Sequence, residues 1–465
     1  MGVQISAHNF KQLIKGVPKE KVFGYGPHNN PNITVLHEHD NIVVKGNFEI
    51  DENIIFKRGE VYEKEIFFDG GTYKNIIFLG GKFKKIFFRR GNFNGYVSIR
   101  GGHIENLMLL GGNFTHWLGT LDGFSNTDFN NQVLADEPLI IDRFEIEGGT
   151  YANNLWISGG TIGSLEIKTV TPVKIHCKPN DDKIYDSLNN NYTSRFTSTP
   201  RIKNLIFSRY SNKDNFYHIS EIKLETIKFE NFTNIGNITL TNIELEKSIS
   251  FENSDLGKIT FINCDFSKQT LYFDSSKITE ISLAGVQLPE SFNIYSVASD
   301  KLFQKRLVLG QLKKVYQNMG DNVSSNKYQA QELEIYRSTL NCSWEKFNLS
   351  LNKFSNNYGQ KWESALALII FSSGFFYILY CRTLGFYIDF SLEGFNIFLR
   401  NTGYFLEFIN PIRKSEFLPK VLMNVTEDYN VSTVAIFIDS CSKLFNAYLI
   451  YQFIAAFRKH GKKSD

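Results

Sequence analysis

Glycine pairs alternate with short apolar strands every ten to twelve residues through the first part of this chain. Residues 70–78 read GGTYKNIIF and residues 80–88 read GGKFKKIFF. Ile76 and Phe78 are separated by one residue, and this two-residue apolar period is typical of a strand with one buried face. Further glycine pairs stand at Gly101-Gly102, Gly111-Gly112, Gly148-Gly149 and Gly159-Gly160. The repeat therefore predicts β-structure.

These glycines fit the corners of a coiled chain. A chain that turns every few residues needs positive φ or close backbone approach, and glycine adopts both without strain. Because one unit cannot bury its own apolar face, units must stack about 4.8 Å apart, with each strand pairing to the coils above and below. We therefore predict a mainly β fold, with a right-handed parallel β-solenoid over residues 41–290.

Asparagine replaces glycine in a second ladder, which follows a polar insertion around residues 180–200. The repeated elements are Phe229-x-Asn231, Leu240-x-Asn242, Phe251-x-Asn253 and Phe261-x-Asn263, continued by Phe273-x-Ser275. Asparagine tolerates the left-handed backbone region, and its side-chain amide caps turns. We expect these asparagines at corners, stacked into a hydrogen-bonded ladder.

The number of coils depends on how many units make one coil. The two ladders hold roughly seventeen units, which give about eight coils and a rod of about 40 Å if two units form a coil. Triangular or four-sided coils of about 20 to 30 residues fit the same spacing.

The segments that flank the solenoid are predicted to be helical. Residues 1–40 contain the amphipathic pattern Phe10, Leu13, Ile14 and Val17. This pattern indicates an N-terminal cap over the open edge of the first coil. In residues 291–360 the apolar period changes from two to 3.6. We expect a helical hairpin there, with one helix closed by Gly320-Asp321 and a second over residues 328–354.

Residues 361–465 are predicted to form an α-helical membrane domain. The eighteen uncharged residues from Ser364 to Cys381 follow Trp362, which matches the length and interfacial flank of a spanning helix. A buried core helix is the alternative. A weaker second segment runs from Val431 to Phe457.

Asp439 and Lys443 interrupt the second apolar segment. They are four residues apart, so they can pair on one helix face. If the whole segment spans, the pair is a candidate intramembrane functional site. If only Leu444 to Phe457 is embedded, the pair lies at the interface.

The charge and the cysteine content limit which partners and which cellular compartment we expect. The net charge is +3, with 51 basic and 48 acidic residues, so a nucleic-acid partner is not expected. The five cysteines show neither a disulfide framework nor a zinc pattern, and we expect no cofactor and no metal. The basic ending at residues 458–463 indicates a cytoplasmic C-terminus by the positive-inside rule. Residues 1–22 lack a signal peptide, and two spans return the solenoid to the cytoplasm as well.

Three parts of the chain carry a resemblance to a known family. They are residues 312–316 with Gly320-Asp321, residues 328–334, and the ending from Tyr448 to Lys459. The arrangement resembles bacterial pentapeptide-repeat or related β-solenoid proteins with a C-terminal two-span membrane domain, some of them similar to two-helix ion channels. The strict five-residue pattern is absent here. The resemblance implies a bacterial inner-membrane protein, and a homo-oligomer if a pore is formed.

The segment between the two spans contains the candidate pore-loop or re-entrant residues Thr402, Gly403 and Tyr404. A potassium-type filter needs a run of backbone carbonyls with glycines at two positions. The second glycine is missing from Asn401 to Phe405, so potassium selectivity is not expected. Residues 395–408 are instead predicted to form a re-entrant or interfacial helix.

Enzyme function is not expected, and we assign no catalytic residue. Glycosidases use paired carboxylates, and the acidic residues here lie in one irregular insertion: Asp122, Asp128, Asp136, Glu137 and Asp142. The leading hypothesis is a membrane-anchored β-solenoid scaffold or sensor that binds a protein partner. It couples to a two-span module, which serves as an anchor, a pore or a permeabilising effector. The alternative is a membrane-tethered solenoid that binds or degrades carbohydrate.

Overall fold

The computed structural model describes most of the chain, in two compact units, Met1–Gln304 and Lys305–Asp465. The described residues are 3–24, 33–38, 41–116, 118–120, 124–125, 133–134, 137–168, 171–186, 191–294, 301–385, 404–415, 419–420 and 431–461. A parallel β-solenoid occupies residues 41–294, and helices follow it.

The first unit is built on one 25-stranded sheet. Its strands up to the first insertion are β1 (Val3–Gln4), β2 (Ile33–Glu38), β3 (Asn41–Gly46), β4 (Phe48–Phe56), β5 (Val61–Tyr62), β6 (Glu65–Phe78), β7 (Lys82–Phe93), β8 (Val97–Ile99), β9 (Gly102–Leu109), β10 (Asn113–Phe114) and β11 (Leu118–Thr120). The insertion carries an antiparallel pair, β12 (Phe124–Ser125) and β13 (Val133–Leu134).

The ladder then continues, with a second antiparallel pair between β18 and β21 formed by β19 and β20. These strands are β14 (Leu139–Ile146), β15 (Thr150–Tyr151), β16 (Leu155–Ile157), β17 (Thr161–Ile167), β18 (Lys174–Cys177), β19 (Asn180–Asp186), β20 (Asn191–Ser198) and β21 (Arg201–Tyr210). The last coils hold β22 (Phe216–Ser220), β23 (Lys223–Thr233), β24 (Asn237–Thr241), β25 (Glu244–Glu252), β26 (Ile259–Ile262), β27 (Thr270–Asp274), β28 (Ser282–Ala284) and β29 (Asn293–Ile294).

The pairing register shows that two sequence units make one coil. Ile86 of β7 pairs with Leu107 of β9, twenty-one residues later, and Ile227 pairs with Ile249, twenty-two residues later. The parallel stack from β3 to β29 has about ten turns, so the expected eight coils were too few. The missed units have corners without glycine or asparagine. Arg209 and Glu221 occupy such corners, with φ values of 67° and 56°.

The asparagine corners are confirmed, but their hydrogen-bonded ladder is wrong. Asn231, Asn242, Asn253 and Asn263 have φ between 48° and 52°. Their side chains are exposed, and within residues 191–294 the four side-chain amides form no hydrogen bonds to one another. Water can satisfy an exposed amide, so the backbone conformation rather than a side-chain ladder explains this residue choice.

Stacked aromatic rings fill the solenoid interior. Tyr73, Phe93, Phe114 and Tyr151 occupy successive coils, with ring centroids 5.1, 4.5 and 5.2 Å apart. This spacing follows from the distance of about 4.8 Å between neighbouring strands. The strand register therefore places aromatic side chains directly over one another.

A short helix covers the N-terminal end of this core. Helix α1 (Ala7–Ile14) begins at Ser6, whose hydroxyl accepts a hydrogen bond from the Asn9 amide at 3.1 Å, and α2 (Lys19–Phe23) follows. The fully buried Phe10 ring lies 5.8 Å from Phe68 and 5.7 Å from Tyr73. Apolar contact with the first coils thus holds α1 in place.

In its described part, the second region contains five long helices and one short helical segment, besides the helical residues 419–420. They are α3 (Lys301–Asn318), α4 (Asn322–Thr339), α5 (Trp344–Asn356), α6 (Trp362–Thr383), the loop helix (residues 404–409) and α7 (Thr433–Gly461). The predicted break at Gly320-Asp321 is confirmed, since Asp321 caps α4. The single helix expected over residues 328–354 is wrong: Ser343 starts α5 by accepting a hydrogen bond from the Lys346 amide at 3.2 Å.

Candidate functional site

Helices α6 and α7 form an antiparallel hairpin. At one end Trp362 lies 6.1 Å from Phe453 and 5.9 Å from Phe457 between ring centroids. At the other end Tyr380 packs in one apolar cluster with Ala435. With 22 and 29 residues, the helices are about 33 and 43 Å long at 1.5 Å per residue. Either length is enough to cross the hydrocarbon core of a bilayer.

Many large apolar side chains of the hairpin are exposed. In the most apolar eighteen-residue window, 22% of α6 and 28% of α7 is buried. The exposed large residues are Leu366, Ile370, Phe371, Phe375 and Ile378 on α6, and Val434, Ile436, Phe437, Leu444, Phe445, Tyr451, Ile454 and Phe457 on α7. A core helix of a soluble domain has the opposite distribution, because it buries its apolar surface.

Polar side chains occupy the inner face of the hairpin. Asp439, Ser442, Asn446 and Gln452 of α7 are all buried. The Ser373 hydroxyl of α6 donates to Asn446 Oδ1 at 3.0 Å. Asp439, Ser442 and Asn446 lie three and four residues apart on one side of α7, whereas Gln452 accepts a hydrogen bond from Asn356 of α5 at 2.9 Å. Such polar contacts bind helices together in an apolar surrounding. We call these four buried residues of α7 the polar seam.

The two charged residues singled out in the second apolar segment are in contact. Lys443 Nζ lies 2.8 Å from Asp439 Oδ2, as their spacing of four residues predicts. The Ser415 hydroxyl donates to Asp439 at 2.8 Å, and Lys443 donates to Ser415 Oγ at 2.6 Å. The structure therefore brings Asp439 and Lys443 together, while the functional role of this pair stays a prediction.

Arg413 completes this charge cluster, and sequence reasoning missed it. Its side chain is buried and donates to Asp439 Oδ1, twenty-six residues away. The guanidinium also donates to the carbonyl oxygens of Phe408 and Asn410 and lies 3.9 Å from the Phe408 ring centroid. No spacing links Arg413 to Asp439. The available signal was a carboxylate within an apolar helix, because a buried charge needs close partners.

Of the three candidate pore-loop residues, only Tyr404 belongs to the part of the chain that the structure describes. Thr402 and Gly403 lie outside the described residues. Tyr404 is the first described residue of the loop helix and packs against the apolar cluster of Tyr380, Leu384 and Phe408. Its backbone is helical, so Tyr404 itself does not have the extended conformation of a filter carbonyl.

A carboxylate hub joins α4, α5 and the turn that leads into α6. Glu334 accepts hydrogen bonds from Arg337 and Lys353 at 2.7 Å and from the Tyr358 hydroxyl at 2.8 Å. These donors, Arg337 foremost, lower the pKa of Glu334 to about 2. Burial and the hydrogen bond to Glu334 raise the pKa of Tyr358 to about 12. The hub fixes the start of the hairpin electrostatically.

The acidic insertion of the solenoid shows no paired carboxylates in its described part. Asp122, Asp128 and Asp136 lie outside the described residues. Glu137 accepts a hydrogen bond from the Gly81 amide at 3.1 Å, and Asp142 lies 2.9 Å from His103 Nε2. Both carboxylates thus have structural partners. Across the described ranges, no cluster of three or more His, Cys, Asp or Glu side chains is arranged to hold a metal ion.

No family model, no curated protein and no solved structure matches this chain. The functional argument therefore rests on the geometry of the hairpin and the solenoid alone.

Proposed function

We propose that this protein is a membrane-anchored β-solenoid scaffold or sensor. Helices α6 and α7 span a bacterial inner membrane, and the solenoid binds a protein partner in the cytoplasm. The observation that carries the proposal is the inverted polarity of the hairpin, with apolar side chains outside and the polar seam inside. Water favours the reverse arrangement, whereas hydrocarbon favours this one because polar groups then pair with each other.

Flanking residues support a spanning position. Trp362 lies at one end of α6 and Tyr380 near the other, at the interfacial levels that aromatic side chains prefer. Arg458 and Lys459 follow the apolar part of α7 on the side of Trp362. By the positive-inside rule this end faces the cytoplasm.

The solenoid suits a protein partner better than a small ligand. Its outward side chains form ion pairs between coils, such as Lys223 with Glu244 at 2.7 Å and Lys277 with Asp255 at 3.1 Å. Such a surface is polar, regular and nearly neutral. A stacked repeat presents it as an extended face, which is how solenoids bind other proteins.

Membrane extraction tests the anchor directly. We expect the full chain to stay in the membrane fraction after alkaline carbonate treatment. Replacing Phe371 and Ile378 together by Asp adds about 2.5–3.5 kcal/mol per charge to insertion and should release the protein. The matched control is Val323→Asp, at a position 81% exposed on α4, which should leave extraction unchanged. Release of the unaltered chain by carbonate contradicts the anchor.

Topology reporters test the compartment. Reporters fused to both termini of the full chain should be cytoplasmic, because two spans return the chain to its starting side. A reporter signal from the outer side at either end contradicts the cytoplasmic scaffold.

A further inference from the structure

Helix α5 carries a row of exposed aromatic side chains. Trp344 is 87% exposed, Phe347 54% and Phe354 70%, and the rings of Trp344 and Phe347 lie 5.9 Å apart between centroids. Because these positions are three and seven residues apart, they share one side of the helix. We call these three residues the aromatic row. Large apolar side chains grouped on a surface mark a contact with another molecule or with lipid.

The opposite side of α5 faces α4. Glu345 accepts a hydrogen bond from the Tyr336 hydroxyl at 2.8 Å, and Lys353 donates to Glu334 at 2.7 Å. At about 3.6 residues per turn, the side of the helix midway between Glu345 and Lys353 lies opposite the aromatic row. Helix α5 is therefore amphipathic, with its polar side held by α4 and its aromatic side turned away from α4.

The C-terminal end of α5 is fixed to the apolar part of α7. Asn356 Nδ2 donates to Gln452 Oε1 at 2.9 Å and to the Gln452 carbonyl at 3.0 Å. Gln452 is seven residues before Lys459, which is about 10 Å along α7 at about 1.5 Å per residue. If the hairpin spans a bilayer with Lys459 among the headgroups, Asn356 lies about 10 Å deeper. Amphipathic helices in a membrane interface bury their apolar side to a similar depth.

Basic side chains mark the headgroup level beside this end of α5. Lys361 and Arg458 are exposed, and Lys459 Nζ donates to the carbonyl of Tyr358 at 3.4 Å in the turn between α5 and α6. Aromatic rings favour the boundary between headgroups and hydrocarbon, and cations near it attract anionic lipids. The aromatic row is thus joined to the lipid-facing hairpin by a fixed contact, with basic residues at the adjacent level.

We propose that α5 is an interfacial helix that inserts Trp344, Phe347 and Phe354 into the cytoplasmic leaflet. Lipid covers the aromatic row of α5, as α4 covers its polar side. The inference rests on the proposed membrane anchor and adds a lipid contact outside the two spans.

Quenching by spin-labelled lipids tests this contact in the full chain. The native cysteines that are not buried are first replaced by Ser; they are Cys342, Cys381 and Cys441. An NBD fluorophore on Phe347→Cys, in liposomes of phosphatidylethanolamine and phosphatidylglycerol, should be quenched most strongly by a nitroxide near the lipid headgroup. The matched control is Val323→Cys, 81% exposed on α4, which should be quenched much less.

A label on Phe371→Cys separates this inference from the anchor. Phe371 is 79% exposed on α6, and its label should be quenched most strongly by a nitroxide deep in the lipid chains. Quenching at Phe371→Cys with none at Phe347→Cys overturns the inference and leaves the anchor standing. Stronger quenching of Phe347→Cys by the deep nitroxide also overturns it, because α5 would then not lie at the interface. Absence of quenching at Phe371→Cys removes both proposals.

A measurement without a fluorophore shows whether the native side chain itself contacts lipid. Brominated lipids quench tryptophan, so the emission that Trp344→Phe removes from the chain is compared in brominated and ordinary liposomes. We expect most of this difference emission to be lost in brominated lipid. Difference emission that persists there overturns the inference, even if the label on Phe347→Cys is quenched.

Discussion

The charge cluster consists of Arg413, Ser415, Asp439 and Lys443. Replacing Asp439 by Asn should destabilise the hairpin more than any other single change in this cluster. The Arg413 side chain is fully buried, and Asp439 is the one carboxylate that forms an ion pair with it in the described ranges. The variant Asp439→Asn leaves the guanidinium without its ion-pair partner in an apolar surrounding. Breaking a buried ion pair in this way costs about 3–5 kcal/mol.

Lys443 provides the matched control for this change. Its side chain is 21% exposed, and its long stem lets the ammonium move toward a more polar level when the partner is lost. We therefore expect Lys443→Gln to cost about 1 kcal/mol or less. The double variant Arg413→Met with Asp439→Leu removes both buried charges and should recover at least about 2 kcal/mol relative to Asp439→Asn.

Hydrogen exchange of the full chain in detergent micelles measures these differences locally. Exchange reports the free energy of opening for each segment, so peptides from α7 separate the hairpin from the solenoid. A loss of about 3 kcal/mol lowers the protection of α7 by about a hundredfold. Unchanged protection in Asp439→Asn, or an equal loss in Lys443→Gln, refutes the assignment of Asp439 as the counter-ion of Arg413.

Three further predictions concern the rest of the chain. Phe93→Ala removes a buried stacked ring and should lower the free energy of unfolding by about 3–5 kcal/mol, measured by thermal unfolding. The exposed control Tyr210→Ala should lower it by only about 0.5 kcal/mol. Asn242→Ala, at φ of 50°, should lower the free energy of unfolding by about 1 kcal/mol. Glu221→Asn, at φ of 56°, should raise it by about the same amount, and denaturant unfolding measures both changes. Because the folded pKa of Glu334 is about 2, below its unfolded value, its stabilisation is present above about pH 4.3 and lost as pH falls toward 2. Glu334→Gln should thus lower stability by about 1 kcal/mol at neutral pH, after allowance for solvent screening, and converge with the unaltered chain near pH 2 in a melting series.

The solenoid was predictable because its strand pattern and its corner residues repeat along the sequence and depend on neighbouring residues only. A two-residue apolar period and left-handed corners follow directly from residue type, as at Phe93 and Asn242. The number of coils was underestimated because a corner occupied by Arg209 or Glu221 carries no residue signal. Their strained φ is imposed by the pairing with neighbouring coils, which only the folded chain provides.

The charge cluster was only half predictable for a related reason. Asp439 and Lys443 are joined by helix geometry, so their spacing is enough to pair them. Arg413 reaches Asp439 through the tertiary packing of the loop helix against Tyr377 and Tyr380. Long-range contacts of this kind leave no periodic pattern in a single sequence.

The most direct test of the account is the depth of a spin label on the outer face of the hairpin. Nitroxides are attached to Phe371→Cys and, as a control, to Val323→Cys, both in the chain without reactive native cysteines and reconstituted into bilayers. We predict that Phe371 is accessible to oxygen and shielded from a water-soluble nickel complex, while Val323 shows the reverse. Equal nickel accessibility at the two positions would mean that the apolar face of α6 is not in lipid, and the membrane anchor would be wrong.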